Sequence, residues 1–359
     1  MTSRERILAA LRLELPDRLP MCETDYWPQT LDRWRQEGFP KDADPVDYFG
    51  LDRIVCVNDL FEPSFGLPER TVEQTSEYRV HVDRYGKTVK TWLTSHHAPA
   101  ILKPALTTWE EWERLKPTLT PGPAKFNNPT AEAQYRAARE AGHFIAITPA
   151  EPMWFVIENT MGFEDGLLAM ASEPELVADM VATYADYVLN MLVLTLQRGY
   201  RFDAIWFWSD LCYRNGMLFS PADARRFVLP HWKRFGEFAC RHGMRFMFHC
   251  DGNVAELIPL LIEAGCHAIQ PIEARAGNDV RDYKQRFGRH ICFIGNINAD
   301  VVASGDFEQI EREVTDKIPL AAADGGYIYH IDHSVPPTIS LAAYRHLLDC
   351  VRRCQVPHA

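Results

Sequence analysis

Residues 244–253 read MRFMFHCDGN, an apolar run that ends abruptly in a histidine, a cysteine and an aspartate before a glycine-asparagine turn. A short apolar run bounded by turn residues is typical of a buried strand. Histidine and carboxylate side chains are also the groups that bind metals or move protons in proteins. What this ending means therefore depends on whether other strands of the chain end in the same way.

The same kind of ending recurs through the last two thirds of the chain. From about residue 131, helical segments alternate with short apolar runs six times, which predicts parallel strands joined by crossover helices. In a (β/α)8 barrel the carboxyl ends of all strands meet at one mouth, whereas a doubly wound sheet spreads them along an edge. We therefore predict an α/β fold, a (β/α)8 TIM-like barrel. The polar strand ends are Glu151, Asp210, His249 with Asp251, Glu273, Asn296 with Asn298, and Asp332 with His333.

The first 130 residues are less regular, and we expect them to complete and elaborate the same barrel. Two early strands are predicted in LPMCET (19–24) and RIVCVND (53–59). EYRVHVDRYGKTVKTW (77–92) alternates around an Arg84–Gly86 turn, which indicates a β-hairpin. The sequence thus predicts one domain over 1–359, with an N-terminal elaboration over 1–130 and regular βα repeats over 131–359.

Composition and missing motifs exclude several functions. The 359 residues carry a formal net charge of −11, which disfavours nucleic acid as a partner. No apolar run approaches the ~20 residues of a membrane helix, the N-terminus lacks a signal-peptide core, and the nine scattered cysteines favour reduced thiols. We expect a cytoplasmic protein without a membrane partner. Since no GxGxxG or Walker A motif is present, we also expect no nucleotide cofactor.

The strand ends supply candidate metal ligands. A catalytic zinc ion takes three protein ligands and keeps one position open. His249 and His333, with a carboxylate from Glu273, Asp251 or Asp210, have the chemistry for such a site. We predict that His249, Asp251, Glu273 and His333 hold a divalent metal, zinc in the first instance. The structural alternatives are a core histidine at 249 and a helix-capping turn at Asp251.

Other side chains near these strand ends are predicted to contact a small-molecule substrate. Trp206 and Trp208 share the parity of Asp210 along one strand, so they form either barrel core or an aromatic wall for a ligand. His330 and Asp332 crowd into the strand end YIYHIDHSVPP (327–337). We predict these four residues as substrate contacts.

The chain resembles the uroporphyrinogen decarboxylase superfamily. The matching pieces are MTSRERILAALRLELPDRLP (1–20), SPADARRFVLPHWKRF (220–235), FHCDGNVAELIPLLIEAGCHAIQPIE (248–273) and GGYIYHIDHSVPP (325–337). The resemblance implies a (β/α)8 barrel with its pocket at the strand carboxyl ends. It also implies one of two activities: cofactor-free decarboxylation of a tetrapyrrole, or methyl transfer that serves a corrinoid protein, commonly with bound zinc.

Each branch of that superfamily matches in part. For the decarboxylases, Asp59 in VCVNDLF resembles the aspartate that gathers pyrrole N–H groups, and His333 resembles the late catalytic histidine. Their arginine-rich RQAGRY motif is replaced by CETDYWPQ (22–29). For the zinc methyltransferases, His249 resembles the first ligand of an H-x-C motif, and Asp251 stands where the cysteine is expected.

We therefore expect methyl transfer or demethylation of a small molecule, with a corrinoid protein as partner and, by resemblance, a homodimer. Asp59, Asp210 and His333 are the predicted catalytic residues, and Asp210 or Asp59 would orient the substrate or shuttle a proton. The alternatives are cofactor-free decarboxylation of a uroporphyrinogen-like tetrapyrrole, with Asp59 and His333 as the polar pair, and a non-catalytic ligand-binding barrel.

Overall fold

The computed structural model describes residues 1–93 and 99–354, and in this part of the chain seven parallel strands form one curved sheet. The order around this sheet is β1-β6-β7-β10-β11-β12-β13, which follows the chain. The strands are β1 Ile54–Asn58, β2 Arg70–Gln74, β3 Tyr78–Val82, β4 Thr88–Trp92, β5 Ala100–Lys103, β6 Phe144–Thr148, β7 Ala204–Trp208, β8 Cys212–Tyr213, β9 Gly216–Met217, β10 Arg245–His249, β11 Ala268–Gln270, β12 Cys292–Ile294 and β13 Tyr327–Ile328.

The eighth position of the barrel is filled by residues 20–22. Met21 forms a parallel bridge with Tyr329, just beyond β13, and the Met21 carbonyl accepts from the N–H of Asp52, just before β1, at 2.7 Å. The chain at LPMCET therefore stands between the last and the first strand, although it contributes a bridge rather than a regular strand. The predicted barrel fold is confirmed.

Helices surround the sheet, and many begin at a residue suited to cap them. Thr2 and Glu5 form the reciprocal capping box of α1, and Ser220 caps α9 before Pro221. The helices are α1 Ser3–Leu11, α2 Pro28–Gln36, α3 Pro45–Tyr48, α4 Trp109–Leu115, α5 Pro129–Glu140, α6 Pro152–Trp154, α7 Phe163–Ser172, α8 Pro174–Gln197, α9 Pro221–Phe227, α10 Leu229–Arg241, α11 Leu257–Glu263, α12 Val280–Phe287, α13 Ala299–Ala303, α14 Phe307–Ala322 and α15 Leu341–Arg353.

Helix α8 is the one described helix whose length and composition would suit a membrane span. Of its most apolar 18-residue window, 56% is buried inside the fold. Its buried side chains, among them Val181, Tyr184 and Val188, belong to the main hydrophobic core between helices and sheet. The burial of this helix is therefore accounted for by packing within the domain.

A second, antiparallel sheet of order β2-β3-β4-β5 elaborates the N-terminal part of the chain. The predicted hairpin is β3-β4, and its turn is closed by the Asp83 N–H donating to the Lys87 carbonyl at 2.9 Å. The Lys87 ammonium in turn donates to the Glu158 carbonyl at 2.8 Å, beyond the end of β6. The hairpin is thus held beside the barrel. Residues 94–98 and 355–359, which the one-domain prediction also covers, lie outside the described residues.

Helix α1 closes the amino-terminal end of the barrel. Its Ile7, Ala10 and Leu11 are buried in the same hydrophobic cluster as the inward-facing side chains of the strands. Because this end is filled, access to the barrel interior is left to the carboxyl-terminal mouth, where enzymes of this fold bind their substrates. The strand residues of this cluster include Phe144, Ala146, Ala204, Trp206, Met247, Ala268, Cys292, Ile294 and Ile328.

Candidate active site

His249 lies at the carboxyl end of β10, and its imidazole is held on three sides. The ring stacks on Trp208 of the neighbouring strand β7, with centroids 4.5 Å apart and planes 15° from parallel. Nδ1 lies 2.5 Å from Oε1 of Gln270, at the end of β11. Nε2 faces two carboxylates, 3.4 Å from Oδ1 of Asp210 and 3.9 Å from Oδ1 of Asp251. Nε2 is therefore the ring nitrogen that faces the two carboxylates.

The two carboxylates and His333 complete a compact polar cluster. Asp210 also accepts the backbone N–H of Asp251 at 3.0 Å, which ties the β7 and β10 loops together. The other oxygen of Asp251, Oδ2, lies 3.5 Å from Nε2 of His333. Four predicted site residues from three separate strand ends are thus brought into contact, as a barrel mouth requires.

The pKa shifts in this cluster follow from the mixture of burial and opposite charge. Burial alone would lower the pKa of His249, but the hydrogen bond to Asp210 and the charge of Asp251 outweigh it and raise that pKa. The hydrogen bond to Asp251 likewise raises the pKa of His333. Burial opposes ionisation of Asp251, yet His333 and His249 lower its pKa. The site thus attracts positive charge, in the form of protons or another cation.

The donor set fits a metal ion. One ligand atom each from Asp210, His249 and Asp251 lies within 4.8 Å of the others. Oδ1 of Asp251 is buried and has no hydrogen-bond partner among residues 1–93 and 99–354, a costly state for a carboxylate oxygen. Two oxygens and one imidazole nitrogen are a suitable set for a divalent ion with an open position. A cation among these three atoms would satisfy the unpaired oxygen.

Glu273 and Asp332, although near the cluster, are engaged elsewhere. Oε2 of Glu273 accepts the Gly252 N–H at 2.8 Å and Oε1 accepts from Arg275 at 2.7 Å. The two oxygens of Asp332 accept backbone N–H groups of Ala274 at 2.9 Å and Ala299 at 2.8 Å. Asp210, rather than Glu273, therefore lies with a carboxylate oxygen within 4.8 Å of ligand atoms of His249 and Asp251, and Asp332 holds two loops.

The predicted substrate contacts separate into buried and accessible groups. Trp206 is fully buried in the barrel core. His330 is also fully buried, and its Nε2 accepts the Thr24 N–H at 3.1 Å. Trp208 borders a cavity, and its ring also stacks on His249. Aromatic contact with a ligand is therefore open to Trp208.

Two cavities are lined by residues at the carboxyl-terminal mouth of the barrel, and Trp208 borders one of them. The larger, of about 620 Å³, borders the metal-ligating cluster and is lined by Asp210, Cys212, Tyr213, Arg214, Asp251, Gly252, Glu273, Arg275, Ala276 and Asp300. The second, of about 500 Å³, is lined by Thr24, Asp25, Cys56, Asn58, Asp59, Pro63, Tyr85, Thr148, Pro149, Ala150, Trp154, Asn159 and Trp208. Both volumes suit a small molecule.

Asp59 lies on the second cavity, apart from the His249 cluster. It follows β1 with a left-handed φ of 53°, a conformation that is unfavourable for aspartate unless its surroundings hold it. Its Oδ2 accepts from Nη2 of Arg84 at 2.6 Å, so the hairpin turn supplies a cation to the cavity edge. Sequence reasoning placed Arg84 in a turn but did not connect it with Asp59.

Gln270 is a second residue that sequence reasoning missed. It ends strand β11 in the stretch HAIQPIE, and its side chain lies between His249 and His330. Its only signal was a polar residue at the end of an apolar strand, the same signal that pointed to Asp210 and His249.

Comparisons with known proteins agree with this architecture. A family model described as uroporphyrinogen decarboxylase (URO-D) matches residues 81–354. Two curated proteins named uroporphyrinogen decarboxylase are similar in part: one from Syntrophotalea carbinolica is 28% identical over 138 residues, 38% of this chain and 39% of that protein. The other, from Streptomyces avermitilis, is 26% identical over 182 residues, 51% of this chain and 48% of that protein. The chain thus spans less than half the length of these two relatives.

A solved structure shares the fold over nearly its full length. A methyltransferase from Methanosarcina mazei superposes with a TM-score of 0.63, covering 98% of this chain and 99% of the other at 14% sequence identity. At this identity the likeness concerns the fold.

Proposed function

The chain belongs to the uroporphyrinogen decarboxylase family, and we propose that it is an enzyme that transfers a methyl group from a small methylated molecule to the corrinoid of a partner protein. Asp210, His249 and Asp251 would hold a divalent metal ion, zinc in the first instance. The observation that carries this proposal is the convergence of three ligand atoms within 4.8 Å around a buried carboxylate oxygen that lacks a partner.

The chemistry expected of the site depends on the charge of the ligands. When bound, the metal would polarise the oxygen or nitrogen that carries the methyl group and so make it a better leaving group. Two carboxylates make a harder ligand set than thiolates do, which favours an oxygen or nitrogen donor over a thiol. Methoxy and methylamine compounds are therefore the expected substrate classes.

The surrounding residues orient the ligands and the substrate. Trp208 packs flat on His249 and fixes the plane of its ring. Glu273 accepts the Gly252 N–H and so holds the loop that carries Asp251. His333, with its Nε2 beside Asp251 and a third of its side chain exposed, stands where it can give a proton to the heteroatom that loses its methyl group.

The corrinoid partner and the homodimer stay predictions from family resemblance. In a balanced transfer, the carbon–heteroatom bond of the donor breaks as a carbon–cobalt bond forms on cob(I)alamin, and the heteroatom keeps the electron pair and takes a proton. Free cob(I)alamin can therefore stand in for the partner protein in an assay.

Metal content is the first test. Protein purified without a metal-affinity tag is expected to bind about one zinc ion, and His249→Ala is expected to lose it because an imidazole ligand is removed. His290→Ala, at an exposed position after α12, is the matched control and should keep the metal. Absence of zinc from the wild type, even after incubation with the ion, would overturn the proposal.

Activity is tested next, with methoxy and methylamine compounds and cob(I)alamin, by following the spectral change to methylcobalamin. Turnover that requires zinc and is lost in His249→Ala is the expected result. Zinc binding without turnover on any such donor would separate a correct metal site from a wrong reaction.

A second function, cofactor-free decarboxylation of a uroporphyrinogen-like tetrapyrrole, is favoured by one observation. Arg84 pairs with Asp59 at a cavity edge, and it supplies a cation near Asp59 that the CETDYWPQ segment lacks. Under this alternative, Asp59 and His333 act on the substrate, and consumption of uroporphyrinogen would survive treatment with a chelator. Loss of that activity in Arg84→Met, but not in His249→Ala, would identify it.

A further inference from the structure

A buried chain of hydrogen bonds links the backbone N–H of Thr24 to His249 through His330 and Gln270. The donor and the acceptor in each of these bonds follow from the bond at Thr24. The Thr24 N–H lies 3.1 Å from Nε2 of His330. A backbone N–H can only donate, so this nitrogen must present a lone pair. The other nitrogen, Nδ1, contacts the carbonyl of Ile331, which can only accept, so Nδ1 carries the hydrogen. His330 is therefore neutral, with a defined tautomer.

Burial agrees with this assignment. No part of His330 is exposed to solvent, and burial lowers the pKa of this imidazole to about 4. It stays neutral at physiological pH.

The orientation of Gln270 follows from that of His330. One end of its amide lies 3.5 Å from Nε2 of His330, and a lone pair there calls for the amide NH2 rather than the oxygen. The oxygen then faces Nδ1 of His249, at 2.5 Å. Because an amide oxygen only accepts, the hydrogen of a neutral His249 must be on Nδ1.

We propose that Gln270 and His330 are positioning residues that hold His249 as the tautomer with its hydrogen on Nδ1. This tautomer leaves a lone pair on Nε2, the nitrogen directed at Asp210 and Asp251. Hydrogen bonds to the far nitrogen of a ligating histidine fix the tautomer and the ring orientation. The inference deepens the proposed metal site, but the tautomer belongs to the metal-free chain and can be measured there.

The first experiment needs only the wild type and His249→Ala. Two-bond proton–nitrogen NMR spectra of the metal-free, 15N-labelled protein at alkaline pH report the tautomer of each neutral histidine, and the signal missing from His249→Ala identifies residue 249. A hydrogen on Nδ1 is the expected result. A hydrogen on Nε2 overturns the proposal, whatever the protein does with zinc.

Variants of Gln270 test whether the chain imposes this tautomer. Gln270→Leu removes the acceptor, so the signal of His249 should shift towards a mixture of tautomers, and zinc affinity should fall by about 10- to 100-fold. Gln270→Glu keeps an acceptor oxygen for Nδ1 but loses the NH2 group that faces His330, so it should retain the Nδ1 tautomer and the zinc affinity better than Gln270→Leu does. Gln285→Leu, at an exposed position on α12, is the control and should change neither.

The outcomes separate this inference from the proposed function. A folded Gln270→Leu variant that keeps both the wild-type tautomer and the wild-type zinc affinity contradicts the role of Gln270. A wild type that shows the Nδ1 tautomer but binds no zinc contradicts the metal-dependent function while leaving the positioning role supported.

Discussion

Buried acids at the two ends of the barrel have different kinds of partner. At the amino-terminal end, Asp52 is 1% exposed and accepts from Arg6 and Arg18, each at 2.7 Å. Asp203, just before β7, accepts from Arg4 at 2.6 Å. These acids pair with arginines, and the pairs join α1 and the following loop to the strands that they close.

At the carboxyl-terminal end the buried acids have neutral partners instead. Glu23 accepts from the Tyr344 hydroxyl and the Ile331 N–H, each at 3.3 Å, and Glu151 accepts from the Trp232 indole at 2.7 Å. Among the described residues, neither acid pairs with a lysine or an arginine. Burial without a cation raises the pKa of Glu23 to about 8 and also raises that of Glu151.

From this difference we expect the amino-terminal end to serve stability and the carboxyl-terminal end to serve binding. Removing a buried acid from the closed end breaks ion pairs that hold α1 and the following loop, and this lowers the free energy of unfolding. Acids without cations at the open end carry perturbed pKa values, which is typical of functional sites. The unsatisfied oxygen of Asp251 belongs to this second end. Three substitutions test the comparison, in decreasing order of their expected effect on stability.

Asp52→Ala should have the largest effect. It removes the buried acceptor that Arg6, Arg18 and the Met21 N–H share, and we expect a loss of about 3–5 kcal/mol in the free energy of unfolding, measured by urea denaturation. Asp32→Ala, in an exposed pair with Arg35, is the control and should change stability by less than ~1 kcal/mol. A similarly small loss of stability for Asp52→Ala would contradict the expectation that acids paired with arginine stabilise the amino-terminal end.

Glu23→Gln should have an intermediate effect that depends on pH. The pKa of Glu23 rises from 4.5 to about 8 on folding, so between these values the unfolded chain releases a proton that the folded chain keeps. The contribution of Glu23 to stability is therefore present below about pH 4.5 and is lost as pH rises towards 8.

The measurement is the difference in free energy of unfolding between Glu23→Gln and the wild type at several pH values. In this difference, the contributions of the histidines to the pH dependence cancel, because both proteins contain them. The variant should gain stability relative to the wild type as pH rises from about 5 to 8. Glu308→Gln, at an exposed position in the first turn of α14, should show no such trend. A pH-independent difference for Glu23→Gln would mean that this acid is ionised in the fold.

Asp210→Asn should have the smallest effect on stability and a large one on binding. The amide oxygen can still accept the Asp251 N–H, and the side chain is 42% exposed, so we expect a change of less than ~1 kcal/mol. Loss of the anionic oxygen should weaken zinc binding by at least ~10-fold, measured by competition with a chromogenic chelator. A strong loss of stability with unchanged zinc affinity would indicate that Asp210 serves stability rather than metal binding.

Much of the fold was predictable because the periodicity of apolar residues indicates helices and strands from neighbouring residues alone. The six alternations after residue 131 predicted the parallel strands, and the alternation of 77–92 predicted the β3-β4 hairpin. The LPMCET segment was predicted as an early strand, but its single bridge at Met21 could not be distinguished from a full strand. The length of a strand formed by this segment depends on how many backbone groups of the neighbouring strands can pair with it.

The candidate site was predictable as a set of residues but not as an arrangement. Polar endings after apolar strands pointed to Asp210, His249 and Asp251, because the barrel brings strand ends together. The sequence could not tell Asp210 from Glu273 as the candidate third ligand, since both follow a strand. That choice depends on Gly252 and Arg275, which occupy the oxygens of Glu273 in the folded chain.

The sequence by itself therefore determined the barrel, its polar mouth and the family, since each is written in local pattern or in residue identity. The tertiary structure alone decided which acids are paired. It brought Arg84 to Asp59 and placed Gln270 between His249 and His330. Contacts between residues distant in the chain depend on register, side-chain direction and competition for hydrogen bonds. No local pattern of residues records these quantities.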